Sequence, residues 1–484
     1  MTEAVDRAPA GAGAAGVNRI IVAIALIGMS IAVIGRVLLD SRVAEIAAIG
    51  CYFAFALTAQ RYFGLRERLL LVFAVSVTVA AAMSHGDPAG LVERGLDQAT
   101  FLAAFMILLA LLRDGAITSP SVLALGRYLT RQPPGRRYLA ISAGGQIMGV
   151  VLNFGALSLL GPLIQRGARA GADVAPEITA IRERRQLSAL ARGFSWIIAW
   201  SPTSIAQALV ISLVAGAEHG RVIAMGVAIA VCVLAAGWLE DRITGARIRA
   251  RLSAAGQLPD TETLPFPGAA FIRFACVCLG LAGLSAAVMS LAGAGIIPAL
   301  MVAAPVVTTA WIWLQIRSEP DARSQAAART REIVLGSIPA SCPEAMTLSV
   351  AGYAAIVATG IIDARATAEM LGLTAVAPLA IYVAIIVIIP VLSNAALPPM
   401  FSATFLASFL SAAPGLGTDP SLVALALIMG WALNLTASPF SATSLVLGRV
   451  TGIPGTTLSW RWNGVFTALA YGIVVAFLAV FSTM

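Results

Sequence analysis

The chain has 484 residues, 59% of them apolar and only 12% charged, with a formal net charge of +8. That balance excludes an ordinary soluble surface and makes lipid the solvent for most of the chain. It also argues against a nucleic-acid surface: all 32 basic residues are Arg, placed at the ends of apolar runs with no stacking aromatics between them.

Apolar runs of about 17 to 25 residues recur from Asn18 onward, each able to cross a hydrocarbon layer of about 30 Å as a helix. They predict an all-α polytopic membrane protein with about 11 transmembrane helices plus two re-entrant hairpins in an inverted repeat. Arg bias places the N-terminus in the cytoplasm, and the expected location is the cytoplasmic (inner) membrane. Residues 1–17 read as a cytoplasmic tail. Residues 18–39 form an extra first span, retained because no small-residue cleavage site follows it.

The first repeat covers 43–238. Spans near 43–60, 67–84 and 98–113 lead to an amphipathic interfacial segment at 119–130. The apolar stretch 138–165 has basic clusters at both ends, so it enters and leaves on one side as a hairpin whose tip is Leu152-Asn153-Phe154-Gly155. A broken span at 193–216 and a span at 220–238 complete this half. A cytoplasmic linker, 239–267, follows.

The second repeat, 268–481, has spans near 268–290, 293–316 and 345–361, then an interfacial segment at 362–372. Next come a hairpin at 374–412 with Ser393-Asn394-Ala395 at its middle, a broken span at 421–448 and a last span at 463–481. Five true crossings per half turn the second half upside down. Gly193 stands eight residues before Ser201-Pro202-Thr203-Ser204, and Gly430 eight before Ser438-Pro439-Phe440-Ser441. Asn153 and Asn394 form a looser echo at the two tips.

Proline is favoured at the first position of a helix and breaks a helix interior. Ser201 and Ser438 therefore read as N-caps, with Pro202 and Pro439 opening new half-helices. Unwound backbone at membrane depth implies a lined cavity. Half-helix N-termini suit an anion, whereas freed carbonyls and hydroxyls suit sodium. The polar groups on offer are Asn153, Ser158, Ser201, Thr203, Ser204, Gln207, Ser393, Asn394, Asn434, Thr436, Ser438, Ser441, Thr443 and Ser444. No Asp, Glu, Lys, Arg or His occurs in 138–165, 193–217, 374–418 or 421–448, which argues against an intramembrane proton relay.

The two tips and two broken spans resemble the ion transporter superfamily, and within it the divalent anion:sodium symporters. That family carries a Ser-Asn-Thr triplet at each tip. This chain has Leu152-Asn153-Phe154 and Ser393-Asn394-Ala395. The resemblance implies Asn153, Ser393 and Asn394 as substrate or sodium contacts, with Ser201, Thr203, Thr436 and Ser438 completing the site. Ser441, in the second break, joins the substrate set, and Asn153, Asn394 and Thr436 form the cation set. It further implies an elevator-type homodimer.

The expected function is sodium-coupled secondary transport of a small anion, with no cofactor beyond the coupling ion and no nucleic-acid partner. Five cysteines show no CxxC spacing. A cation/proton exchanger or metalloid exporter of the same superfamily would need Glu344, Asp97 or Glu240 as proton carrier. A membrane-embedded enzyme would have to work with His85 and His219, the only histidines.

Overall fold

The computed structural model describes residues 11–84, 86–169, 176–254, 264–317, 320–413 and 415–483. His85 and most of the N-terminal tail lie outside them. Lipid cannot satisfy backbone N–H and C=O groups, so each segment must close its own hydrogen bonds. The described residues accordingly hold helices and no strand.

The first half runs α1 (Gly11–Leu39), α2 (Arg42–Thr58), α3 (Leu65–Ser84), α4 (Pro88–Ile117), α5 (Pro120–Thr130), α6 (Pro134–Leu152), α7 (Gly155–Ala168), α8 (Pro176–Ser195), α9 (Ile205–Leu213) and α10 (His219–Ala254). The second half runs α11 (Gly268–Ala292), α12 (Ile296–Ile316), α13 (Ala322–Glu332), the single turn α14 (Ile338–Ala340), α15 (Cys342–Ile361), α16 (Ala364–Met370), α17 (Pro378–Asn394), α18 (Pro399–Ala412), α19 (Pro420–Ala437), α20 (Ala442–Thr451) and α21 (Trp462–Phe481).

The chain is a polytopic membrane protein. Nine helical stretches among the described residues are long and apolar enough to cross a bilayer, with Pro378–Asn394 and Pro399–Ala412 as shorter apolar helices. Two expected spans are missing from the nine for local reasons: α2 has only 17 residues, and the stretch at 193–216 is divided between the end of the charge-rich α8 and α9, which has only 9 residues. Part of the expected linker, and the basic cluster that closes the first hairpin, are helical. The basic cluster Arg182, Arg184 and Arg185 belongs to α8, and Glu240 and Asp241 belong to α10, which extends well beyond 238.

The chain divides into two compact units. One comprises residues 1–115 and 281–357, and the other 116–280 and 358–484. In the first unit α4 and α15 cross closely, because Gly95 faces Tyr353 and Val357 while Gly352 faces Leu102. Tyr52 Oη and Ser349 Oγ pair at 3.0 Å within the same unit.

The second unit holds both helix pairs and both interrupted helices. α6 and α7 pack on α8, and α17 and α18 pack on α19. At the start of α19, Asp419 Oδ1 accepts the N–H groups of Ser421 (2.7 Å) and Leu422 (3.2 Å). Its Oδ2 meets Arg221 Nη1 of α10 at 2.6 Å.

Burial pushes the Asp419 carboxyl up, but the Arg221 hydrogen bond and the two cap N–H groups outweigh it, leaving it below its ordinary value. A depressed carboxyl stabilises the folded state above its unfolded pKa of about 3.9 and loses that contribution as pH falls through the folded value. Asp419→Ala, which removes the cap, is expected to cost about 1 kcal/mol at neutral pH. In detergent melting curves the gap from wild type closes as pH drops below about 4.

Candidate functional site

Each interrupted helix is broken by the same four-residue turn. Ser204 N–H donates to Ser201 C=O at 3.0 Å, and Ser441 N–H donates to Ser438 C=O at 3.2 Å. Proline thus occupies the second position of a β-turn, where its fixed φ is favoured. The preceding serine closes the incoming helix: Ser201 N–H reaches Ile197 C=O at 2.9 Å, and Ser438 N–H reaches Asn434 C=O at 3.0 Å.

The N-caps therefore differ from the sequence expectation. Ser204 caps α9 by accepting the Gln207 N–H, and Ser441 caps α20 by accepting the Ser444 N–H, each at 3.2 Å. Ser201 and Ser438 lie one turn earlier, because the residue before proline is disfavoured in the helical region and the turn absorbs both. Each third helical residue also reaches back across its break. Gln207 Nε2 donates to the Ala199 carbonyl (3.0 Å), and Ser444 Oγ donates to the Ser438 carbonyl (3.0 Å).

Each break is tied to its own helix-pair tip. Thr203 Oγ1 donates to Val150 C=O at 2.8 Å and lies 2.8 Å from Ser201 Oγ. Ser438 Oγ donates to Ser393 C=O at 3.0 Å. Val150 precedes Asn153 by three residues, and Ser393 precedes Ala396 by three. Asn153 (φ +48°) and Ala396 (φ +64°) are the residues with positive φ at the two tips. The tips consequently correspond at Asn153 and Ala396, and Asn394 sits two residues earlier.

The repeated glycines fix the same register. A Cβ on Gly193 would collide with the Ser142 carbonyl oxygen and lie 2.7 Å from its carbonyl carbon, while one on Gly430 would lie 3.3 Å from the Ile385 carbonyl oxygen. Ser142 is eleven residues before Asn153, and Ile385 eleven before Ala396. Gly193→Ala is expected to destabilise by about 1–3 kcal/mol, since backbone rather than a flexible side chain must yield. Gly430→Ala costs less, as its nearest neighbour is the Ile389 methyl at 3.0 Å. Paired melting curves check the order.

The structure thus forms two separate sets. The first is Asn153, Ser201 and Thr203. The Asn153 amide side chain is half-buried and has no hydrogen-bond partner among the described residues. The second is Ser393, Asn394, Thr436, Ser438 and Ser441. Here Asn394 is committed, with Nδ2 donating to Pro390 C=O (2.8 Å) and Oδ1 accepting from Trp460 Nε1 (3.2 Å). Thr436 Oγ1 lies 3.0 Å from Thr467 Oγ1, and Ser441 Oγ donates to Leu435 C=O at 3.0 Å. No described hydrogen bond joins the sets, but α19 packs on α9 and on the single turn Trp196–Ala199 that ends the α8 segment.

Sequence reasoning missed a buried charged network beside the first break. Arg192, 5% exposed, immediately precedes Gly193 and pairs with Glu240 of α10. Its Nε donates to Asn463 Oδ1 at 2.7 Å, and its guanidinium lies 4.5 Å from the Phe466 ring centroid. Thr467 Oγ1 donates to the Asn463 carbonyl at 2.9 Å, so hydrogen bonds run from Glu240 through to Thr436. The only sequence signal was that Arg192 adjoins a charge-free stretch. Of the three carboxylates weighed as proton carriers, Glu240 lies in this unit, whereas Asp97 pairs with Arg36 and Glu344 with Arg113 in the other.

Comparison of the whole fold finds transporters. The structure matches the YdaH transporter of Alcanivorax borkumensis at a TM-score of 0.54 and 13% identity, covering 86% of this chain and 98% of that one. It matches MtrF of Neisseria gonorrhoeae, described as illuminating a class of antimetabolite efflux pumps, at 0.52 and 11%, covering 86% and 95%. At these identities the likeness establishes a shared fold. No family model and no curated protein matches the sequence.

Proposed function

We propose that this protein is a secondary active transporter that moves a small anion across the cytoplasmic membrane with sodium as coupling ion. The observation carrying this reading is the duplicated pairing of a broken helix with a hairpin tip, in segments without Asp, Glu, Lys, Arg or His. After capping, the N1 and N2 amides of α9 and α20 still lack intrahelical acceptors, and they offer a positive dipole end to an anion. Carbonyl and hydroxyl oxygens at the breaks supply hard ligands of the kind sodium takes. The fold shared with YdaH and MtrF supports transport over catalysis.

Both tips and both breaks belong to one compact unit, the division an elevator carrier requires. On that reading this unit moves and the other stays anchored, in a homodimer that light scattering in detergent tests. The test of coupling is flux in proteoliposomes. Uptake of a labelled anion is expected to rise severalfold under an inward sodium gradient relative to potassium or choline. Equal flux in all three removes sodium coupling.

Efflux is the second reading, favoured by the likeness to MtrF. It predicts accumulation in inside-out vesicles and none in right-side-out ones.

A further inference from the structure

Asn434 is completely buried, and neither its Oδ1 nor its Nδ2 has a hydrogen-bond partner among the described residues. Other buried polar side chains at the breaks leave at most one such atom bare: Nε1 of Trp196, Oε1 of Gln207 and Oγ1 of Thr443. An amide buried without partners is a standing cost to the fold, and native structures rarely keep one unless a ligand, ion or water meets it.

Its position ties it to the second tip. Gly430, Asn434 and Ser438 are spaced four apart and form one stripe along α19. Gly430 lies against Ile385 and Ile386 of α17, and Ser438 holds the Ser393 carbonyl of the same helix. Asn434 lies between them, one turn before the break. α17 is itself weakened here: Pro390 offers no N–H to the Ile386 carbonyl, which instead accepts the Tyr471 hydroxyl at 2.9 Å.

The two bare atoms have opposite needs. A cation satisfies only Oδ1, and an anion satisfies only Nδ2. Neither α17 nor α19 carries an Asp, Glu, Lys, Arg or His, so nothing on them neutralises a lone ion, whereas a cation and an anion bound together neutralise each other. Resting on the transport reading above, we propose that Asn434 bridges the coupling cation and the transported anion. Its Oδ1 ligates sodium and its Nδ2 donates to an anion oxygen. Asn434 then makes binding of one ion depend on the other.

The test uses full-length protein in detergent, melted in sodium chloride or choline chloride at equal ionic strength, each with and without succinate, benzoate or phosphate. Wild type is expected to be stabilised by sodium, and further by the anion it carries in sodium only. Asn434→Leu removes the orphaned amide at similar volume. It should be at least as stable as wild type in choline, while its apparent sodium affinity drops about tenfold or more, the loss of one charged contact.

Asn434→Ser provides a smaller change should the leucine variant not fold, and it should weaken sodium binding likewise. A Leu or Ser variant that keeps the wild-type sodium response overturns the proposal. So does a marked loss of stability of the Leu variant in choline, which would give the amide a structural partner. Absence of any sodium response in wild type removes sodium coupling itself, a failure distinguishable from that of Asn434 alone.

Discussion

Glu240→Gln is expected to destabilise the protein by about 3–5 kcal/mol, because it leaves the Arg192 guanidinium buried without its counter-charge. Arg192 keeps Asn463 Oδ1 at 2.7 Å and the Trp462 carbonyl at 3.4 Å, but these neutral acceptors replace a carboxylate poorly. Glu240 retains 25% side-chain exposure, which places the expected loss toward the lower end of the range. Arg192→Met, by contrast, removes the charge and preserves much of the stem packing on Phe466. The double variant should be no worse than Glu240→Gln alone, since the stranded charge is gone. A double-mutant cycle from melting or denaturant curves measures this, and additive losses would mean that the pair is not coupled.

The second large effect concerns transport. Asn153→Gly preserves the positive φ at the first tip and deletes only the amide. Losing one hydrogen bond to a charged ligand, about 1.5–3 kcal/mol, corresponds to a roughly 10- to 150-fold drop in transport efficiency with little change in melting temperature. Asn394→Ala should behave differently. Its amide holds Pro390 and Trp460, so its loss falls first on stability, by about 1 kcal/mol per bond. Flux and melting measurements on both variants separate the roles. Normal flux through Asn153→Gly would place the site elsewhere.

The contrast between these two asparagines shows where sequence reading ends. Both stand near helix interruptions, and the chain alone gives them equal standing. Asn394 is taken up by Trp460, 66 residues away, whereas nothing among the described residues takes up Asn153. Likewise Ser-Pro-x-Ser marks where each helix must break, because proline forbids the continuing hydrogen bond. Which serine becomes the cap depends on how the turn docks on a distant tip, through Thr203 to Val150 and through Ser438 to Ser393.

By itself the sequence determined the membrane class, the helical content and the places where helices are interrupted. These are local consequences of lipid: a segment that cannot borrow water must pair its own backbone groups, so hydropathy and proline suffice to read it. Tertiary structure alone decided the pairing of Arg192 with Glu240, the correspondence of Asn153 with Ala396, and the isolation of Asn434. Those depend on which side chains from remote segments meet, and a polar group left without a partner can be recognised only once every neighbour is in place.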